Sequence, residues 1–192
     1  MSSAAERSNV LTPVNPTLFS AAQLAAENTF AMCGIAVRCV GMSSIPIRDA
    51  GNVTGLIDVR GKASGVIAVN MTERAALRAV GGLLKEELHE FNAQVVDGAG
   101  EITNLVVGGI KSALADTNWA FGQIALPNVT DGRGYAIAFA RDLEFVNVTF
   151  ELDDRKAVEL QDRLVHVTMS LATSLPKCPT TISSAPPPAK RP

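Results

Sequence analysis

Residues with obvious chemistry are scarce in this 192-residue chain: three cysteines (Cys33, Cys39, Cys178) stand far apart, and there are only two histidines (His89, His166). That leaves no C-x-x-C pair and no His/Cys cluster from which to build a zinc or iron site. An excess of one charge is lacking too. Lys and Arg number 17 against 19 Asp and Glu, a formal net charge of -2, and the only basic run is the terminal Lys190-Arg191. This excludes an electrostatic footprint for nucleic acid or anionic lipid, so a protein or small-molecule partner fits better. No apolar stretch approaches the ~18–20 residues that span a bilayer, and the opening MSSAAERSNVLTPVN has no apolar signal core. The expectation is a cytoplasmic protein with reduced thiols. Four Asn-x-Thr sequons, at Asn52, Asn70, Asn128 and Asn147, are accordingly read as threonines of strands and turns.

What is present is a globular composition, 47% hydrophobic and 19% charged, in a chain long enough for one core-bearing domain. Disorder throughout, collagen and coiled coil are excluded. Of ten prolines, six lie in the last seventeen residues and two at Pro13 and Pro16, so only Pro46 and Pro127 interrupt the body. The domain is expected over residues 16–174. Residues 1–15 and the Pro-rich tail 175–192 read as disordered, because the tail has little to bury against an ordering cost of roughly 1–2 kcal/mol per residue.

Periodicity gives an α/β alternation. Asn15-Pro16 sets a cap and first-turn proline, and Phe19, Ala22, Ala26, Phe30 and Cys33 recur at helical spacing, predicting a helix over about 16–33. Val53–Arg60 and Ser64–Asn70 are β-rich runs around Gly61-Lys62, a hairpin signature. Within it, Gly55–Ala63 resembles a P-loop only loosely, with five residues between glycines and Ala63 where Ser or Thr should stand. Thr72 caps a second helix with Leu77, Val80, Leu84 and Leu88 in one stripe; its Gly81-Gly82 implies close packing, and His89 falls at its end. Asn92 caps a third helix over about 93–115. Strands follow at about 121–127, 134–140, 144–152 and 163–171, the last with His166 on its polar side. Trp119, Phe121 and Cys33 read as core anchors. The fold class is α/β, a single domain with one sheet packed by two long helices.

The third helix is the informative element. At about 100° per residue, Val95, Ala99, Ile102, Leu105, Val106, Gly109 and Ala113 form one apolar stripe. Asp97, Glu101, Asn104, Gly108 and Ala115 fall within about 60° of one another on the opposite face. On the wheel alone such a face is a solvated surface. The longer spacing adds to it: Asp97-x-x-x-Glu101-x-x-Asn104, then Pro127 after twenty-two residues, reading from DGAGEITN through NLVVGGIKSALADTNWAFGQIALP.

This pattern resembles the signature of the CheC/CheX/FliY family of chemotaxis phosphatases. It occurs once, and Phe30 stands where a second motif would need Asn after Glu27, so the chain looks like the single-motif CheX type. The resemblance implies a fold with the motif helix outward, and hydrolysis of the aspartyl phosphate of a CheY-like response regulator. It further implies Mg²⁺ held by that regulator, not by this chain, and a homodimer. On the family's pattern Asn104 orients the attacking water and Glu101 forms a salt bridge with the regulator's active-site lysine; both are the implied catalytic residues. A neutral amide suits the first role because it both donates and accepts hydrogen bonds without adding negative charge. A carboxylate beside a phosphoryl group would be repelled, so Glu101 does not read as a general base. Asp97, Gly108, Lys111 and Pro127 would complete the partner-binding surface. Two further readings stand beside this one: a non-catalytic module binding a response regulator or motor component, and a regulator of a two-component pathway unrelated to motility.

Overall fold

Three polar side chains start the three helices. Asn15 accepts from the backbone N–H of Thr17 and Leu18 ahead of α1 (Pro16–Met32), Thr72 accepts from Ala75 N–H ahead of α2 (Glu73–Leu84), and Asn92 from Val95 N–H ahead of α3 (Ala93–Leu114). Each fills a donor that the first turn leaves open. The computed structural model describes residues 14–45, 51–132 and 143–173. The expected strand at 134–140, the terminal segments, Pro46 and Cys178 lie outside them.

Seven strands form one antiparallel sheet: β1 (Val37–Ser43), β2 (Val53–Gly61), β3 (Ala63–Met71), β4 (Phe121–Ile124), β5 (Asn128–Asp131), β6 (Glu144–Leu152) and β7 (Leu164–Thr173). Their order is β1-β6-β7-β3-β2-β4, with β5 also on β2. The β2–β3 hairpin turns at Lys62 in place of any phosphate loop. The helices share one core with alternate residues of the central strands, among them Phe30, Ile57, Ile67, Val148, Phe150, Val167 and Met169. Each fully buried side chain of this kind contributes about 1.5–3 kcal/mol.

The structure departs from the expected elements in three places, each with a physical reason. β1 was not foreseen, since VRCVGMS at a sheet end is half-buried residue by residue and carries no apolar alternation. The strand expected at 121–127 breaks into β4 and β5, because Pro127 has no N–H for the ladder. Helix α2 stops at Leu84 with Lys85 left-handed (φ 59°), so Leu88 and His89 lie beyond it and His89 caps nothing. His166 lies on the polar side of its strand, as expected, and is buried there. It is 8% exposed, and its Nδ1 lies 3.0 Å from Thr149 Oγ1. It belongs to a polar row across the second face of the sheet, Thr130, Thr54, Asn70, His166 and Thr149, aligned by strand register. Asn70 Nδ2 donates to Thr54 Oγ1 at 2.6 Å and Thr168 Oγ1 to Asn147 Oδ1 at 2.7 Å. Two of the sequon asparagines, Asn70 and Asn147, are therefore buried.

Close packing at Gly81-Gly82 is present as expected: a methyl on Gly82 would strike the carbonyl of Cys33. Cys33 and Phe121 are core residues, and Trp119, half-buried, packs against the core. No described helix is long and apolar enough to cross a membrane.

Candidate functional site

Helix α3 is held on several sides by side chains small enough to let backbones approach. A methyl added at Gly109 would lie 2.8 Å from Ala25 Cβ of α1, one at Gly98 would strike Val80 of α2, and one at Gly55 of β2 would strike Thr103 of α3. The buried residues Val95, Ala99, Gly100, Ile102, Thr103, Val106, Val107, Ile110 and Leu114 thus cover a wide arc. Its centre is turned by about 60° from the expected stripe, so Ala113 is exposed and Leu105 and Gly109 only half-buried. The cause is double packing: α1 takes one flank and the sheet the other.

What remains in solvent is a narrow ridge, and it carries the motif. Asp97, Glu101, Asn104 and Ala115 are exposed and Gly108 is half-buried. A Cβ at Gly108 would meet nothing within 4 Å. Asp97, Glu101 and Asn104 have no hydrogen-bond or ion-pair partner among the described residues. Lys111 is engaged: its Nζ donates to the Gly122 carbonyl at 2.8 Å, tying β4 to the helix. Pro127 comes to the other end of the motif, where a Cβ on Gly100 would lie 3.6 Å from Pro127 Cγ. The six sequence-selected residues therefore lie along one side of α3 and the segment beside it.

The chemistry on offer there is limited. One amide can donate and accept, carboxylates can pair with a cation, and the exposed Ser112 hydroxyl is turned back to the Gly108 carbonyl at 3.1 Å. Among the described residues no group of three or more His, Cys, Asp or Glu could hold a metal ion. The other reactive groups are elsewhere and subdued. Burial pushes the Cys33 thiol up, only partly offset by the Arg78 charge, and burial lowers the pKa of His166. A cleft of about 660 Å³ opens between α2, the chain after it and the turn after β6, away from the ridge. Its walls mix Arg74, Arg78 and Lys85 with Glu86, Asp153 and Asp154, and the Arg74–Asp154 pair at 3.6 Å is internal. A flat ridge suits a macromolecular substrate, which a cleft of mixed charge does not require. Sequence reading missed Leu126, which it placed inside a strand; it is 91% exposed next to Pro127.

Comparison with known proteins bears on the family and the fold. The family model described as "Chemotaxis phosphatase CheX" matches residues 53–151, just over half of the chain and all of α3. Among solved structures, a chemotaxis protein CheX from Vibrio vulnificus superimposes with a TM-score of 0.68 at 23% identity, covering 81% of this chain and 99% of that one. A putative chemotaxis protein from Desulfovibrio vulgaris gives 0.70 at 22% identity over 83% and 100%. The CheX of a CheX–CheY–BeF3–Mg²⁺ complex from Borrelia burgdorferi gives 0.62 at 20% identity over 81% and 95%. A sequence comparison with curated proteins finds no match.

Proposed function

This chain belongs to the CheX family of chemotaxis phosphatases, and from that premise we propose that it hydrolyses the aspartyl phosphate of a CheY-like response regulator. One observation supports the reading: Glu101 and Asn104 stand about one turn apart, exposed and without a side-chain partner among the described residues, on a ridge that is flat around Gly108. A ridge rather than a pocket suits a substrate that is itself a folded protein with its phosphate at the bottom of its own site.

The division of labour follows from residue chemistry. Asn104 accepts a hydrogen bond from the attacking water and so holds that water's oxygen aimed at phosphorus, adding no charge. Glu101 holds the regulator through a cation, the lysine the family places beside the phosphorylated aspartate. Asp97, Gly108, Lys111 and Pro127 frame the contact, Lys111 by fixing β4 and Pro127 by packing on Gly100. Among the described residues no group of three or more His, Cys, Asp or Glu would hold a Mg²⁺; on this reading the ion enters as part of the phosphorylated regulator. A cytoplasmic location follows from such a partner. The homodimer is the assembly the family resemblance implies, read out by sedimentation.

The test is phosphate release from the phosphorylated CheY-like regulators of the source organism, compared for wild type, Asn104→Ala and Glu101→Ala. Acceleration by wild type, lost in Asn104→Ala and weakened together with binding in Glu101→Ala, supports the reading. Binding of a regulator with no acceleration by wild type favours the non-catalytic module instead.

A further inference from the structure

This inference rests on the function proposed above and concerns what holds the regulator against the ridge. The segment 122–127 is tied to α3 at both ends. Lys111 Nζ binds the Gly122 carbonyl, and Pro127 lies against Gly100. The lengths agree: residues 100 to 111 of a helix rise about 16 Å, and the extended steps from 122 to 127 cover about 17 Å. The segment therefore runs antiparallel to α3 and flush with the motif. Leu126 is one step, about 3.3 Å, from Pro127, so it stands level with the interval between Glu101 and Asn104.

Its backbone is fixed on both sides. Ala125 N–H donates to the Asp58 carbonyl at 2.9 Å, and Asn128 pairs with Leu56 in the β5–β2 ladder. The side chain is nevertheless 91% exposed. A single exposed leucine is ordinary on a protein surface. One held rigid beside an unpaired carboxylate and amide is placed to be covered when those groups are engaged, since an apolar anchor in a pre-organised position gives affinity at little ordering cost.

The geometry points to Leu126 as the apolar anchor of the docking ridge, inserting into an apolar depression on the receiver domain beside its phosphorylated aspartate. Leu126 thus acts on docking alone, holding the regulator against the ridge where Glu101 and Asn104 stand and touching no reacting atom.

The experiment measures KM and kcat for dephosphorylation of the regulator selected above, and binding of its beryllofluoride–Mg²⁺ form, for wild type, Leu126→Ser, Leu126→Met and Asn104→Ala. Leu126→Ser should raise KM and Kd about tenfold or more, with kcat within about twofold, an unchanged melting temperature, and recovery in Leu126→Met. Unchanged KM and Kd in Leu126→Ser, with Asn104→Ala still inactive, overturns this inference and leaves the phosphatase reading standing. A change in sedimentation with regulator affinity intact assigns Leu126 to self-association and overturns it equally. If wild type neither binds nor dephosphorylates any regulator, both readings fall.

Discussion

Two adjacent glycines in α3 should respond oppositely to the same change. Replacing either Gly108 or Gly109 by alanine removes the same helix-propensity penalty, about 1 kcal/mol. At Gly108 the new methyl meets nothing within 4 Å, so the gain is kept. At Gly109 it would lie 2.8 Å from Ala25 Cβ and 3.1 Å from Ala25 Cα. The second of these is backbone, so α1 itself must move, at an overpacking cost of about 1–3 kcal/mol. The two variants should differ by about 2 kcal/mol, or roughly 4–8 °C in Tm for a domain of this size. Urea unfolding with a shared m-value measures the difference directly. Equal shifts in both variants would refute the close α1–α3 approach. Function should run the other way. On the docking reading, Gly108→Ala is the more stable protein with the poorer KM, because its methyl stands where the regulator approaches. Full activity in that variant would remove Gly108 from the docking surface.

Other outcomes follow from buried groups. Burial lowers the pKa of His166, so the folded state binds fewer protons than an unfolded histidine near pH 6.5. The stability this gives is complete above about 6.5 and falls as pH drops below it, levelling off under the folded-state pKa. Wild type should lose more Tm than His166→Gln between pH 7.5 and 5.5; parallel losses would show that folding leaves the pKa of His166 unchanged, against its burial. Cys33 is buried with its thiol pushed up, whereas Cys39 is half-buried. Mass mapping after brief exposure to a thiol reagent at pH 8 should find Cys39 modified well before Cys33, and the reverse order would contradict the packing of α1.

Local signals were legible where one side chain decides a structure. Asn15, Thr72 and Asn92 mark helix starts because a cap is a contact across two or three residues, and Pro127 marks the end of strand pairing by chemistry it cannot avoid. The exposed arc of α3 was legible too, since helical periodicity alone puts Asp97, Glu101 and Asn104 together. What escaped depends on tertiary cover. His166, Asn147 and Asn70 alternate with core residues as a solvated strand face would, yet all three are buried and each bonds to a threonine. The buried arc of α3 is turned from the expected stripe because the sheet packs on one flank while α1 holds the other, which no local pattern announces. Leu126 was invisible for the same reason: only the pairing of β4 and β5 with β2 sets it beside the motif.

The central claim is that Asn104 positions water in a reaction whose other parts arrive with the partner. The most direct measurement is the single-turnover rate of phosphate loss from a regulator saturated with wild type or Asn104→Ala, alongside the Kd of each for its beryllofluoride form. The account predicts a rate lower by about 100-fold or more with Kd changed by no more than a few-fold. Equal rates for the two proteins at saturation would contradict it.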